Sequence, residues 1–318
     1  MRDGTLDLTM PAATWANRRV DAQVVWGKNL PAVNINLDLN QAPYILQLHA
    51  NSVQASAAFH LAPETNGLSV SGALFWMSNR VDVQARFATT GWLPENAHAH
   101  IEQLRVPART LKLPGYKDVT GSLRADWQAG DFSLDANAVA TPPLASSNLP
   151  PVVLTLRASG DTSGATISDA IVSAPGLKLE LSHNVTLHWT GPLLREPATF
   201  HVHVDLAQQA LVALRGALEG DARIEPDRKP LPTVSFHLKG TEVQRGTIVA
   251  RTATLDGQLN WPHLEIRQAD LVFEGGSTAQ ASGTVRVADN RVEAGLVEFK
   301  GPLVRRWLPA GYNLENLS

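Results

Sequence analysis

The sequence predicts an all-β protein of mostly antiparallel strands, with at most one or two short helices. Three observations lead there. Apolar and polar residues alternate along most of the chain, a period of two that gives a strand one apolar face. Gly and Asn turn signals punctuate the runs. And 44% of the 318 residues are apolar while 18% are charged, below the roughly 25% usual in globular domains. A large apolar surface has to be placed somewhere.

The clearest strand is Val33-Asn34-Ile35-Asn36-Leu37-Asp38-Leu39-Asn40. Val33, Ile35, Leu37 and Leu39 share one face, and the polar residues share the other. The same alternation recurs at Val81/Val83/Ala85/Phe87, Phe132/Leu134/Ala136, Leu154/Leu156/Ala158, Leu177/Leu179/Leu181 and Val185/Leu187/Trp189. It continues at Phe200/Val202/Val204/Leu206, Val234/Phe236/Leu238 and Val285/Val287. Turns fall at Asn66-Gly67, Ala129-Gly130-Asp131, Pro175-Gly176, Gly275-Gly276 and Asp289-Asn290, where Gly and Asn supply positive φ. Strands of ordinary length then number about twenty. Helical spacing is confined to residues 206–218, with Asp205 as N-cap, and to a short turn at 302–308. Gly216 and the preceding strand argue against a long helix at the first.

Apolar-x-apolar runs ending in Trp repeat at Gly72-Ala73-Leu74-Phe75-Trp76, at residues 121–127 and at Gly257-Gln258-Leu259-Asn260-Trp261, with weaker copies ending at Trp26 and Trp189. Their spacings lengthen from 50 and 51 to 62 and 72 residues, so no fixed-period solenoid is implied. The chain reads as one elongated repetitive segment over 1–318, with a candidate sub-boundary near 191–220. The N-terminus lacks a signal-peptide pattern and the C-terminus stops as though cut in mid-structure, which is the expectation for a piece of a longer chain.

Several function classes are poorly served. A net charge of −3 makes nucleic acid a poor partner. The absence of Cys removes disulfides, thiol nucleophiles and Cys zinc sites. No apolar run approaches the ~20 residues of a spanning helix. No Gly-x-Ser-x-Gly, P-loop, Gly-x-Gly-x-x-Gly or His-Glu-x-x-His pattern occurs, so no catalytic residue, cofactor or metal is expected. The pairs His98/His100 and His201/His203 each share a strand face, but two His without a third ligand make a weak metal site. His201 and His203 alternate with Val202 and Val204 and so belong to the solvent face. The carboxylates Glu293, Glu298, Asp118 and Asp126 read as solvated charges. Arg18-Arg19 and Arg305-Arg306 read as edge-strand charges more than as lipid-head contacts.

Two phrases carry a resemblance. One is Leu264-Glu265-Ile266 followed by Ala269-Asp270-Leu271-Val272-Phe273-Glu274-Gly275-Gly276-Ser277 and Ala281-Ser282-Gly283-Thr284-Val285. The other is Leu154-Thr155-Leu156-Arg157-Ala158-Ser159-Gly160 followed by residues 170–181. This succession of strand, Gly turn and strand ending in small-small-Gly resembles the AsmA-like superfamily, especially the TamB-like and YdbH-like proteins of the Gram-negative envelope. The resemblance runs from about Ala22 to Trp307. It implies a long curved sheet rolled into a trough (β-taco-like) with an apolar interior. It also implies a periplasmic location, an inner-membrane anchor outside this chain, and transport of phospholipid between membranes.

The expectation is therefore a non-enzymatic, lipid-binding and lipid-conducting β-groove. Its partners are phospholipid acyl chains and inner- and outer-membrane components. Its lining is Val33, Ile35, Leu37, Leu39, Leu154, Leu156, Leu177, Leu179, Leu181, Val185, Leu187, Trp189, Phe200, Val202, Val204, Val234, Phe236 and Leu238. Trp residues near strand ends read either as seam residues, body inward and N–H toward water, or as plugs of a closed core. The alternative function is a structural or assembly scaffold for outer-membrane protein biogenesis, whose edges pair with client strands.

Overall fold

Alternation leaves each strand with an apolar stripe on one side, and cross-strand pairing in register merges the stripes into faces. The computed structural model describes residues 6–14, 19–26, 33–50, 55–91, 93–143, 149–208, 214–226, 233–289 and 291–301, with side chains from residue 33 onward. Among these residues there are 21 strands, and the helical content is one 3-10 turn, Val287–Asp289. No helix among them is long and apolar enough to cross a membrane.

The strands are β1 (Leu6–Thr14), β2 (Arg19–Trp26), β3 (Val33–Asp38), β4 (Tyr44–Ala50), β5 (Ala55–Glu64), β6 (Gly67–Trp76) and β7 (Asn79–Ala88). Next come β8 (Pro94–Pro107), β9 (Asp118–Gln128), β10 (Asp131–Thr141), β11 (Val152–Gly160), β12 (Gly164–Ala174), β13 (Leu177–Leu181) and β14 (Val185–His188). The last are β15 (Ala198–Asp205), β16 (Arg215–Ile224), β17 (Val234–Arg245), β18 (Ile248–Asn260), β19 (His263–Phe273), β20 (Thr278–Arg286) and β21 (Arg291–Lys300). The all-β, antiparallel open sheet expected from the alternation is the fold found. The chain divides into two compact units: unit 1 is 1–105, 120–138 and 157–162, and unit 2 is 106–119, 139–156 and 163–318.

In unit 1, β1 to β7 pair in chain order and β7 passes to β8. One apolar row runs Leu37, Leu46, Phe59, Gly72, Val83, Ala99 across six strands. In unit 2, β12 is shared along its length. Its first residues pair with β14 and its last with β13, and β13 then passes to β15. From β15 to β21 every strand pairs with the next.

Three rows cross eight strands of unit 2, from β13 to β21 with β14 set aside. One is Leu177, Val204, Leu218, Gly240, Ala253, Leu271, Ala279, Phe299. The second is Leu179, Val202, Gly220, Leu238, Leu255, Ala269, Ala281, Val297. The third is Leu181, Phe200, Ala222, Phe236, Gly257, Ile266, Gly283, Gly295. In the third row large residues face small ones from Phe200 through Ala222, Phe236, Gly257 and Ile266 to Gly283. A Cβ on Gly257 would meet Phe236 Cζ at 2.5 Å, so the ring lies over the neighbouring glycine. Phe59 stands opposite Gly72 in unit 1 in the same way, with its Cδ1 2.8 Å from a Cβ there. An aromatic ring laid over a strand glycine restores the contacts that glycine lacks.

A bulge keeps one end of this face apolar. Glu242 has φ 57°, and β16 and β17 shift register between Arg215 and Ala217, opposite Glu242 and Val243, while a matching shift of β18 against β19 lies between Ala250 and Thr252. Strict alternation would turn Val243 to the polar side. The irregularity re-aims it, and Val243, Ala250 and Phe273 are all buried.

The helix expected at 206–218 is not formed by the described residues. Leu206–Gln208 is a turn, and Arg215–Ile224 is strand β16. Asp205 does cap, but it caps that turn: its carboxylate accepts from the Ala207 N–H at 2.9 Å and from Gln208 Nε2 at 2.6 Å. Alternation at Leu218, Gly220, Ala222 and Ile224 wins because it puts four residues on the shared apolar face, whereas an amphipathic helix there would interrupt the sheet. The helical turn expected at 302–308 lies outside the described residues. Three of the expected turns form with positive φ: Ala129 and Gly130 have φ 53° and 108°, Gly176 72°, and Gly275 and Gly276 83° and 80°. Asn66 lies in a turn as expected, but Gly67 has no positive φ and opens β6. Asp289 ends the 3-10 turn, and Asn290 lies outside the described residues.

Candidate functional site

The predicted lining residues fall into two sets. In unit 1, Val33, Ile35 and Leu37 lie on β3, with Leu39 just past its end, all half-buried. In unit 2 the structure gathers Leu177, Leu179, Leu181, Phe200, Val202, Val204, Val234, Phe236 and Leu238 onto one face, alongside Leu156, Val185 and Leu187. Leu154 is half-buried on β11. Trp189 lies beyond the end of β14 and is 48% exposed.

That face is packed by its own side chains. The buried residues of the larger cluster come from β15 to β20 and the turn after β15, and include Val202, Leu238, Ala250 and Ala279. Leu177, Leu179, Val204, Val234, Phe236, Leu255 and Leu271 pack against them and stay half-buried. So the floor is made of alanines together with Val202, Leu206, Leu218, Leu238, Val243 and Phe273, and a second set of large residues stands partly in solvent. The sequence reading missed Leu218, Ala222, Ala250, Ala253, Leu255, Ala269, Leu271 and Ala279. The period of two runs through most of these positions, but their alanines, and the glycines that alternate with them at 220 and 257, weaken the apolar signal, and the bulge puts Ala250 out of phase.

The opposite face is charged. Glu180, His201, Asp221, His237 and Asp256 occupy one row across five strands. His237 Nδ1 stands 2.6 Å from Asp256 Oδ1, His203 Nδ1 3.1 Å from Glu219 Oε1, and His201 Nδ1 3.9 Å from Asp221 Oδ1. His201 and His203 are exposed, as the alternation required. Exposed pairs of this kind contribute about 0–1 kcal/mol each and define register more than stability. Among the described residues no group of three or more His, Asp or Glu is placed to hold a metal.

Unit 1 has a polar recess on β6 to β9 that includes Ser71, Gln84, Arg86, His98, Asp126 and Gln128. His98 Nδ1 lies 2.7 Å from Asp126 Oδ1, half of a catalytic constellation. Ser71, Gln84 and His98 are successive in one row, so Gln84 separates the hydroxyl from the imidazole. Two strand spacings hold the Ser71 and His98 backbones about 10 Å apart, and no nucleophile–base pair is formed. The Asp126 carboxyl is held below the usual carboxylate range by the His98 hydrogen bond first and the Arg124 hydrogen bond second. A lowered carboxyl stabilises the fold above its unfolded pKa, and that support is lost as pH falls through the folded value. The substitution His98→Phe is expected to raise the Asp126 pKa, read by NMR titration of the side-chain carboxyl. An unmoved titration would place the cause on Arg124 alone.

The repeated Trp residues do mark strand ends: Trp26 and Trp76 close β2 and β6, and Trp127 is the penultimate residue of β9. Trp261 follows β18 directly. Two of them do not turn their N–H toward water. Trp127 Nε1 donates to Pro94 O at 2.8 Å, and Trp261 Nε1 donates to Pro114 O at 3.2 Å. An indole N–H taken from water needs an acceptor, and here the first carbonyl of β8 and a turn carbonyl at Pro114 supply it. In unit 2 the Trp261 contact belongs to a tie. The Tyr116 ring lies 6.0 Å from that of Trp261, and its hydroxyl donates to Pro150 O at 3.3 Å. A Cβ on Gly115 would meet Leu149 at 2.6 Å. The segment 108–117 thus fastens the β18–β19 turn to residues 149–150, and burial there raises the pKa of the Tyr116 hydroxyl.

Compared with protein-family models, with curated proteins and with solved structures, the chain matches none.

Proposed function

We propose that the apolar face of unit 2 binds the acyl chains of phospholipid, and that the chain is a non-enzymatic, lipid-conducting β segment of the bacterial envelope. In this reading it works in the periplasm between inner- and outer-membrane components, as the resemblance to AsmA-like proteins implies. One observation carries the reading. Three unbroken apolar rows cross eight strands, while the reverse face bears charged residues. Large side chains on that apolar face remain half-buried. Covering them with methylene groups gains about 0.8 kcal/mol per CH₂ buried. An apolar sheet face needs a helix, a second sheet or a ligand over it, and a lipid tail meets that need without specific polar contacts.

Photo-crosslinking amino acids at Leu179 and Val202, and at Leu37 in unit 1, are expected to capture phospholipid in cells. The same probe at Lys178, on the reverse face, is expected to capture none. Equal labelling at Lys178, or no lipid adduct at Leu179 and Val202, overturns the proposal. The substitution Leu179→Arg places a charge on the face directly opposite Val202. It is expected to abolish lipid capture at Val202 while circular dichroism still reports a folded sheet. Unchanged capture in a folded Leu179→Arg chain would also count against it.

A further inference from the structure

Unit 2 leaves one group of basic side chains without acidic partners. Elsewhere in this unit the sheet histidines stand against carboxylates: His201 with Asp221, His203 with Glu219, His237 with Asp256 and His263 with Glu293. His183 and His188 do not. Both line a recess of about 360 Å³ together with Asn184, Thr186, Arg195 and Glu196. Among the described residues no carboxylate pairs with His183, His188 or Arg195, and the Arg195 guanidinium reaches only the Thr190 carbonyl, at 3.4 Å. Three basic groups and two neutral donors thus share the recess with one carboxylate. Donors gathered without acceptors suit an anion with several oxygens.

The connection that carries Arg195 is apolar at its tip. It runs from residue 189 to 197, between β14 and β15. Trp189 is 48% and Leu193 55% exposed, the highest values among described large apolar side chains outside β21. Gly191 turns the chain with φ 84°, and a Cβ there would meet nothing within 4 Å. The base of the connection is held firmly. The His188 N–H donates to Leu193 O at 2.9 Å, the Trp189 N–H donates to Ser163 O at 3.3 Å, and Leu187 forms a β-bridge with Leu194. Leu187 and Leu194 pack against the cluster of Val185, Ala198 and Phe200, so the base continues the apolar face. Two exposed apolar side chains fall far short of the roughly 20–30 residues a side of a stable protein interface. A bilayer interface accepts such side chains singly, and it enriches Trp and the basic residues whose heads stay at the phosphate level.

We infer that the 189–197 connection seats the chain on a phospholipid bilayer. Trp189 and Leu193 enter the interface, and Arg195, His183 and His188 meet the phosphate of a lipid headgroup. This goes beyond acyl-chain binding on the apolar face: it names where the chain meets the membrane surface.

The test uses the full chain, which has no native Cys, with Thr190→Cys carrying a polarity-sensitive fluorophore. Vesicles are made of equal parts phosphatidylcholine and phosphatidylglycerol. The label is expected to shift to the blue on vesicle addition and to be quenched by doxyl-labelled lipid. The same label at Ala207→Cys, an exposed turn past the far end of β15, is expected to do neither. Leu193→Asp is expected to weaken vesicle binding more than about tenfold, the loss of one buried leucine, while circular dichroism is unchanged because the side chain is exposed. Arg195→Gln is expected to weaken it about fivefold, the loss of one basic contact at an anionic surface. Inorganic phosphate is expected to leave vesicle binding intact. No emission shift at residue 190, an equal shift at residue 207, or unchanged binding by either folded variant overturns the inference. Release from vesicles by inorganic phosphate also overturns it, since the recess would then be a site for the free ion. Lipid capture at Val202 is a separate readout, so the docking loop and the acyl-binding face can fail independently.

Discussion

Substituting Gly220→Ala is expected to lower the stability of the chain by about 3 kcal/mol, read as a shift in the urea unfolding midpoint at constant slope. Gly220 sits mid-strand in β16, opposite Leu238. A Cβ there would stand 2.0 Å from His237 O and 2.9 Å from Leu238 Cα. Both are backbone atoms, so no rotamer change relieves the clash, and β16 and β17 would have to separate. Their separation would break the second apolar row between Val202 and Leu238. The matched control is Gly295→Ala, where the nearest atom is 3.7 Å away. Alanine is better than glycine in a strand when it fits, so that variant is expected to be neutral or stabilising by up to about 1 kcal/mol. Equal stability of the two variants would show that the close approach at Gly220 is not required.

The second large effect is expected at Asn79, whose residue is 1% exposed. Its amide nitrogen donates to Trp76 O at 3.2 Å and to Arg105 O at 3.0 Å, and its carbonyl accepts from the Arg105 N–H at 2.5 Å. One side chain thereby closes the β6–β7 turn and pins the far end of β8 to it. The substitution Asn79→Ala removes all three bonds and buries a methyl group among polar backbone atoms. Each buried group left unsatisfied costs about 1–3 kcal/mol, so a loss of about 3 kcal/mol is expected after partial relaxation. Faster hydrogen exchange at the Arg105 amide would localise the effect to β8. A variant that loses stability while that amide stays protected would count against the pin.

Neither position stands out in the sequence. Gly220 lies just past the 206–218 stretch that helical spacing also fits, through Leu206, Ala210, Ala213, Leu214 and Ala217. Gly and Ala dilute the period of two there, and only pairing with β15 and β17 selects strand. Asn79 reads as an ordinary turn residue after Trp76. Its role depends on Arg105, 26 residues away, which no local pattern reveals. The Trp261 contact with Pro114 is more remote still, at 147 residues. By contrast, Val33 to Leu39, Leu177 to Leu181 and Phe200 to Val204 were legible at once, because large apolar residues alternate there with polar ones.

By itself the sequence determined that the chain is all-β, that its strands have one apolar and one polar face, and where most turns fall. Those follow from local rules: side chains alternate along a strand, and Gly or Asn permits positive φ. Tertiary structure decided which strands are neighbours and in what register. It set Phe rings over glycines and re-aimed Val243 through the Glu242 bulge. Those depend on contacts between residues far apart in the chain. The period of two says which face a side chain takes, and only pairing says what stands opposite it.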